Sequence, residues 1–270
     1  DKIVDGFTRQ VGTRIRYGMR VDGVKLSDKG VEISVTDVNA GKAFSFTADY
    51  CVSNMPLPLL AQLRTNFSAD FDWAVKRAKF DPTCKVGWQA NRRFWEDNKY
   101  QIYGGISYID APITQMWYPS EGYFGRNGTL TGAYNYEEAA ARFGKLSPQQ
   151  RLIEAKLQGS KLHPEIADNS IVPLDRGLSI AWQNIPYQRG GWANWNANSP
   201  EDAKAYARLL APDGRFHVVG DQVSPVPGWQ EGAMMSAEHV VEQIAGLRPT
   251  AVPDIERAPH TRRMILGTRH

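Results

Sequence analysis

Hydrophobic and polar positions alternate with two different periods along this chain, which predicts helices and strands in mixed order. Near the start, apolar residues recur at helical spacing at Ile3, Val4, Phe7 and Val11. Shorter apolar or alternating runs, typical of strands, follow, and a turn is predicted at 39–41 between two of them. These strands are predicted at 15–21, 24–26, 31–35, 44–46 and 49–53. A helix then starts at Pro58.

The second half of the chain also combines apolar patterns of helical and of strand spacing. An alternating strand is predicted at 84–88, aromatic-rich strands lie within 100–136, and a strand ends at 180–182. Two helical patterns lie between them, the second with Ser147 as N-cap and Pro148 in its first turn. A short apolar strand at 216–219 leads to a last helix that ends near 244. The predicted fold class is therefore α/β, with α and β elements mixed.

Composition narrows the function classes. The 270 residues are 42% hydrophobic, which is enough for one large or two modest domains. The net charge of +3 is carried by scattered lysines and arginines, so we expect no nucleic-acid partner. The sequence shows no apolar run near the roughly 20 residues that span a bilayer, so no membrane association is predicted. The two cysteines and five histidines lack metal-binding spacing, so no metal site is predicted.

The stretch 216–244 carries the first candidate site. Its strand ends on Gly220-Asp221, and a Pro-rich loop then turns at Gly228-Trp229 into the last helix. The start of a helix offers unpaired backbone N–H groups and partial positive charge, which suits an anion or an electron-rich ring. An acidic residue at a strand end is an acceptor suited to ribose or ribityl hydroxyls. An ordinary strand-to-helix connection is the alternative interpretation.

The run VVGDQ…GWQEGAMMSA resembles the C-terminal flavin-binding signature of the flavin amine oxidases. This resemblance implies the amine oxidase fold, with FAD as cofactor, and carries cofactor contacts onto the residues of the signature. These are Gly220, Asp221, Gly228, Trp229, Gln230 and Ala233. The order of helix, hairpin and DYCVS strand is also similar, and it implies that the backbone of Val21 contacts adenine. The alternative for Val21 is a plain strand valine.

Lys85 opens the strand CKVGW, and Phe94-Trp95-Glu96-Asp97 follows it. A lysine at the mouth of an apolar strand either reaches the surface along its own stem or has a function. In the flavin amine oxidases, a lysine at this spacing holds a water at flavin N5 and favours reoxidation by O2, because positive charge stabilises superoxide. The FWED run is most similar to the L-amino acid oxidases.

Aromatic residues make up the rest of the predicted site. The resemblance implies that a tyrosine near Pro119 binds the substrate carboxylate, with Tyr118 as the first candidate and Tyr123 as the second. Core packing is the alternative for either tyrosine. Further aromatic positions follow from the family's "W … Y-x-G-G-x-aromatic" segment: Trp182 lines the flavin pocket, Trp192 and Trp229 form an aromatic cage, and Trp195 and Gly228 contribute to substrate binding.

A dinucleotide-binding G-x-G-x-x-G between a strand and a helix is missing from the sequence, as is the family's carboxylate-binding arginine. The resemblance spans the whole chain but only about the C-terminal half of a typical family member. We therefore expect a second polypeptide that carries the upstream half with the G-x-G-x-x-G, arising from proteolytic processing, and a dimer or higher assembly of the two-chain unit. The predicted domains are 1–80 and 201–247 for FAD, 81–200 for substrate, and 248–270 as an arm.

The predicted function is an FAD-dependent L-amino acid oxidase that converts an L-amino acid and O2 into a 2-oxo acid, ammonia and hydrogen peroxide. An amine or polyamine oxidase and an amino acid 2-monooxygenase of the same fold are alternatives within the enzymes. A non-catalytic subunit of a flavoprotein complex is the alternative from another class. Neither the identity of the amino acid nor the cellular location can be predicted from this sequence.

Overall fold

The computed structural model describes residues 2–247, and the predicted C-terminal arm lies outside them. The chain divides into two compact units. One, which we call the central unit, is Lys79–Asn194. The other, the flanking unit, is formed by the described residues before and after it.

The described residues form both helices and strands in mixed order, so the predicted mixed α/β class is confirmed. The α-helices are α1 (Lys2–Val11), α2 (Leu57–Leu60), α3 (Ala69–Arg77), α4 (Glu137–Gly144), α5 (Pro148–Gly159), α6 (Pro200–Leu210) and α7 (Gln230–Ile244). The strands are β1 (Met19–Ser27), β2 (Gly30–Asp37), β3 (Lys42–Ala48), β4 (Cys51–Ser53), β5 (Arg64–Thr65), β6 (Thr83–Ala90), β7 (Gly105–Tyr108), β8 (Gln115–Tyr118), β9 (Gly128–Tyr136), β10 (Gly177–Ala181) and β11 (Phe216–Val218).

The flanking unit contains a four-stranded sheet in the order β3-β2-β1-β5. The separate strands predicted at 15–21 and 24–26 are one strand, β1, whose register shifts between Val21 and Gly23. A bulge of this kind lets one continuous strand carry both apolar runs. The strand begins at Met19, so the predicted start at residue 15 is too early, and residues 12–14 form a 3-10 helix.

The flanking unit also contains the parallel pair β4 and β11, in which Cys51, Val52 and Ser53 lie opposite Phe216, His217 and Val218. The buried ring of Phe216 packs edge-on against Phe71 of α3. Helices α3 and α6 were not predicted from the sequence. Each buries three residues in the flanking unit.

The central unit is built on a five-stranded antiparallel sheet in the order β10-β6-β9-β8-β7. One face of the sheet packs on α4 and α5 and forms the core of the unit, which includes Val86, Trp88, Met116 and Leu130. Because side chains alternate along a strand, the residues between these core positions point to the opposite face. That opposite face carries the candidate residue Lys85.

None of the helices in residues 2–247 combines the length and the apolar character needed to cross a membrane.

Candidate functional site

Lys85 lies on the face of the central sheet that is opposite the core. Its neighbours on β6, Cys84 and Val86, are fully buried, so the lysine side chain points the other way. Lys85 pairs with Tyr134 on β9 and with Ile180 on β10. Its Nζ lies 4.4 Å from the centroid of the Tyr134 ring, which is a cation–π distance.

Aromatic rings extend this face in both directions from Lys85. Tyr136 follows Tyr134 by two residues on β9, and its ring centroid lies 6.3 Å from that of Trp192. On the other side, the Trp117 ring of β8 lies 5.8 Å from the Tyr134 ring. We call Lys85, Trp117, Tyr134, Tyr136 and Trp192 the aromatic face.

The aromatic face alters the titration of its own residues. Lys85 is exposed, yet the neighbouring protein desolvates its ammonium group, which lowers the pKa of Lys85. Burial raises the pKa of Tyr134, so its phenol remains protonated and able to donate a hydrogen bond at neutral pH. A cation beside protonated phenols is an arrangement that can bind an anionic group.

Trp182 follows the end of β10, whereas Tyr118, the first candidate for binding the substrate carboxylate, lies on β8. Trp182 starts a 3-10 helix one residue beyond the pair Ala181–Cys84, and its side chain is half-buried. Tyr118 faces the core and is only 6% exposed, and its hydroxyl lies 2.9 Å from Ser107 Oγ and 2.5 Å from His163 Nε2. This placement removes support for Tyr118 as the carboxylate ligand, because its hydroxyl is already bonded on the core side of the sheet.

Tyr123 and Trp195 are not among the residues of the aromatic face as defined above. Tyr123 is exposed in the loop before β9, with its ring 6.1 Å from Tyr103. Trp195 belongs to the core of the flanking unit, where its indole N–H donates to the backbone oxygen of Gln222 at 2.8 Å. Burial and a satisfied indole leave Trp195 as a packing residue of that unit.

The predicted cofactor residues of the flanking unit lie around the start of α7. Gly220 ends the strand segment with a φ of 110°, and its N–H donates to Ser236 Oγ of α7 at 3.2 Å. Gly228 has a φ of 82°, a backbone conformation that favours glycine. Trp229 is the N-cap residue and is 53% exposed, and among the described residues no side chain caps this end.

Asp221 holds this loop in shape. Its Oδ2 accepts a hydrogen bond from Gly228 N at 2.6 Å. Burial raises the pKa of Asp221, although backbone hydrogen bonds from Gly228 and from its own loop oppose the shift. Gln230 is exposed and Ala233 half-buried on the first turn of α7, so these residues, together with Trp229, form one surface at the helix start.

Val21 lies on β1 opposite Val35, at the point where the register shifts. The short strand β5 pairs with β1 only at Gly23 and Val24. The backbone of Val21 therefore lies beyond the segment that β5 covers. This geometry is consistent with the predicted backbone contact, which stays a prediction.

Comparison with known proteins identifies the family. The family model described as flavin containing amine oxidoreductase matches residues 1–245. The chain belongs to this family. The resemblance inferred from the signature is thereby confirmed, and so is FAD as the predicted cofactor.

Relatives with assigned names come from distant organisms. The chain is 26% identical over 250 residues to the putative L-amino-acid oxidase YobN of Bacillus subtilis (strain 168), covering 90% of this chain and 51% of YobN. It is 28% identical over 163 residues to an L-amino-acid oxidase of Mus musculus, covering 60% of this chain and 25% of that relative.

Solved structures confirm the amine oxidase fold. Wild-type putrescine oxidase bound to putrescine matches with a TM-score of 0.74 and 15% identity, over 91% of this chain and 52% of that one. Cyclohexylamine oxidase from Brevibacterium oxydans IH-35A matches with a TM-score of 0.65 and 17% identity, over 84% and 48%. The chain thus spans about half the length of putrescine oxidase and of YobN.

The start of α7 fits the electron-rich end of a flavin. The first N–H groups of a helix are unpaired within the helix and need an acceptor, and Trp229 supplies no side-chain cap. The left-handed Gly228 and the exposed indole of Trp229 leave the backbone there accessible. Gly220, Asp221 and Gly228 to Ala233 are the residues that would hold the cofactor, and their individual contacts remain predictions.

Several residues of functional interest were missed from the sequence, and one of them is Trp117 on β8. Tyr134 and Tyr136 lie beside Lys85 on the sheet, and their signal was the alternation of aromatic residues along 128–136. Gln222 is buried and donates to the backbone oxygens of Met55 and Val219. It fixes the loop after Gly220, and nothing in its local sequence marks it. Within residues 2–247, no cluster of metal-ligating side chains is present.

Proposed function

We propose that this chain is part of an FAD-dependent L-amino acid oxidase. The relatives named L-amino-acid oxidases support this substrate class, and the aromatic face of the central unit supplies suitable chemistry. The single observation that carries the proposal is Lys85, a cation held over the Tyr134 ring on a sheet face rich in aromatic residues.

Each residue of this proposal has a stated task. Bound FAD would supply the acceptor for the hydride of the substrate Cα–H and the group that O2 reoxidises. Lys85 holds a water and provides positive charge for the reaction with O2. The protonated phenol of Tyr134 replaces Tyr118 as the donor to the substrate carboxylate, because it lies on the same face as Lys85.

The aromatic rings orient the substrate and exclude water. The rings of Trp192 and Tyr136 lie in contact on the central unit, and Trp229 exposes its indole at the start of α7. Electron-rich faces attract an amine nitrogen, and their bulk limits the poses that a substrate can adopt. The imino acid that is formed hydrolyses in water to a 2-oxo acid and ammonia.

The proposal includes a second polypeptide that carries the G-x-G-x-x-G half of the flavin fold, in a dimer or a higher assembly. The parallel pair β4–β11 supports it, because parallel strands are normally buried within larger sheets. Val52 of β4 is exposed among the described residues. Strand neighbours from another polypeptide would cover this position.

The test is oxidation of L-amino acids by the purified flavoprotein, with Lys85→Met compared with Lys79→Met. Lys79 is an exposed lysine of the same unit. We expect Lys85→Met to slow reoxidation of the reduced flavin by O2 about a hundredfold, because a preorganised positive group is lost. Lys79→Met keeps the normal rate. Stopped-flow absorbance of the flavin measures this step separately from substrate oxidation.

Product analysis separates the proposal from its alternatives. A 2-oxo acid with hydrogen peroxide supports the oxidase, whereas an amide product indicates a 2-monooxygenase. Turnover of a decarboxylated amine in preference to the amino acid would indicate an amine or polyamine oxidase. Unchanged turnover in Lys85→Met would remove the catalytic role of this chain and favour a non-catalytic subunit.

A further inference from the structure

The segment that carries Trp192 is held by a short antiparallel partner ahead of β6. Asp81 N donates to Trp192 O at 3.0 Å, and Gly191 N donates to Asp81 O at 2.8 Å. Asn194 N donates to Lys79 O at 2.7 Å. Asp81 is thus the residue directly opposite the chain at Trp192, and both of its backbone polar groups bond to that segment.

The Asp81 side chain adds contacts to the same segment. Its Oδ1 accepts a hydrogen bond from Asn194 Nδ2 at 2.9 Å. Burial raises the pKa of Asp81, with the nearby Glu137 carboxylate adding to the shift, while Asn194 and the Trp192 side chain stabilise the charged form. One half-buried carboxylate therefore ties Asn194 to the residue whose backbone pairs with Trp192.

Little free space surrounds this clamp. A Cβ added at Gly191 would lie 2.1 Å from Thr83 Oγ1, and one added at Gly190 would lie 2.5 Å from Phe80 Cβ. The two glycines let the segment approach the chain at 80–83 closely. The backbone position of Trp192 is fixed by this approach, which leaves the rotation of its indole to side-chain contacts.

We propose that Asp81 is the positioning residue for Trp192. Its backbone pairs with Trp192 and its carboxylate holds Asn194 two residues further on, and together these bonds keep the Trp192 ring against Tyr136 on the aromatic face. The role of Trp192 in substrate binding rests on the proposed function, whereas the positioning of Trp192 by Asp81 does not. A carboxylate suits this task because hydrogen bonds to an ionised acceptor are shorter and stronger than neutral ones.

The test uses the purified flavoprotein labelled with 5-fluorotryptophan. Trp192→Phe assigns the fluorine resonance of Trp192 among the eight tryptophans. We expect Asp81→Ala to shift and broaden that resonance and leave those of the core residues Trp88 and Trp95 in place. We expect Asp81→Asn, which keeps an acceptor oxygen, to move the Trp192 resonance less than Asp81→Ala does. Asp110→Asn, an exposed aspartate of the same unit, has no effect.

Kinetics provide the second readout. Loss of a charged hydrogen-bond partner corresponds to about a tenfold change in equilibrium. We expect Asp81→Ala to lower kcat/KM by about tenfold, mainly through KM, and Asp81→Asn to recover part of it. An unmoved Trp192 resonance in both Asp81 variants would overturn the positioning role, whatever the kinetics. A second outcome is that the Trp192 resonance moves in Asp81→Ala while kcat/KM stays unchanged in both Asp81→Ala and Trp192→Phe. That result would support the positioning role of Asp81 and refute the substrate-binding role of Trp192.

Discussion

At the scale of single residues, each of the two units holds an ionisable group whose charged form is disfavoured by burial. Lys85 is a cation whose surroundings partly desolvate it, with the Tyr134 ring beneath its Nζ. Asp221 is a carboxylate whose burial raises its pKa and whose clearest partner is Gly228 N. Desolvated charges of this kind lower stability and are common at functional sites. The cost of the Asp221 charge can be measured.

We expect Asp221→Asn to raise the free energy of unfolding at neutral pH. The native pKa of Asp221 lies above its ordinary value of 3.8, so the unfolded state loses its proton first as pH rises. Stability therefore falls through the interval from that ordinary value up to the raised native pKa and stays reduced above it. Urea unfolding of the flavin-free protein at acidic and neutral pH measures the effect, which is absent in acid, below both pKa values.

Asp202→Asn is the control of opposite sign. Burial raises the pKa of Asp202, but the hydrogen bonds from Asn196 N and Arg77 outweigh it and lower the pKa overall. Its charge therefore stabilises the native state above the ordinary pKa, and Asp202→Asn should lose stability at neutral pH. A destabilised Asp221→Asn at neutral pH would show that the Asp221 carboxylate makes a net favourable contact.

At the scale of elements, a single irregularity in the central sheet decides which residues share the aromatic face. Val86 pairs with Ala133, but Gly87 pairs with Thr131, so Gly132 is an extra residue on β9. A one-residue shift moves every later side chain to the opposite face of a strand. The bulge thus allows Leu130 to face the core while Tyr134 and Tyr136 lie beside Lys85 and Thr83.

We expect Gly132→Ala to lower the free energy of unfolding by about 1–3 kcal/mol through overpacking. A Cβ at this position would lie 2.0 Å from Cζ3 of Trp88, a ring that is almost completely buried. Denaturant unfolding followed by tryptophan fluorescence measures the change. Gly6→Ala is the matched control, because nothing lies within 4 Å of its added methyl group and alanine favours a helix. If Gly132→Ala has the same free energy of unfolding as the unsubstituted protein, the core around Trp88 repacks freely.

At the scale of the whole molecule, exposed apolar surface on the flanking unit bears on the proposed second polypeptide. Helix α1 has apolar side chains at Ile3, Val4 and Phe7, and none of its residues is buried against the described chain. A cluster of exposed apolar residues commonly marks an interaction site. If the proposed second polypeptide exists, we expect this surface to bind it.

Phe7→Ser should weaken that association by tenfold or more, since burial of a phenylalanine contributes about 1.5–3 kcal/mol. The measurement is the amount of the second polypeptide and of FAD that co-purifies with this chain. Gln10→Ser changes an exposed polar residue of the same helix and leaves the association unchanged. Equal recovery of both components with Phe7→Ser would assign the α1 surface to another role.

The sequence by itself determined the features that depend on short-range signals. Helix α1 follows from its apolar period, α5 from the Ser147 cap and Pro148, and the hairpin of β2 and β3 from alternation across a turn. The family followed from the run around Gly220-Asp221 and Gly228-Trp229, because a strand, a loop and a helix start are contiguous in the chain. FAD as cofactor followed from the family.

Only the tertiary structure decided which aromatic residues share a face. Tyr118 is bonded to His163 in the core, and Tyr134 lies under Lys85, although both belong to aromatic strands of similar composition. The face of a residue depends on register, and register depends on a bulge whose only trace in the sequence is Gly132. The link between Asp81 and Trp192 joins positions far apart in the chain, and local patterns carry no information about such contacts.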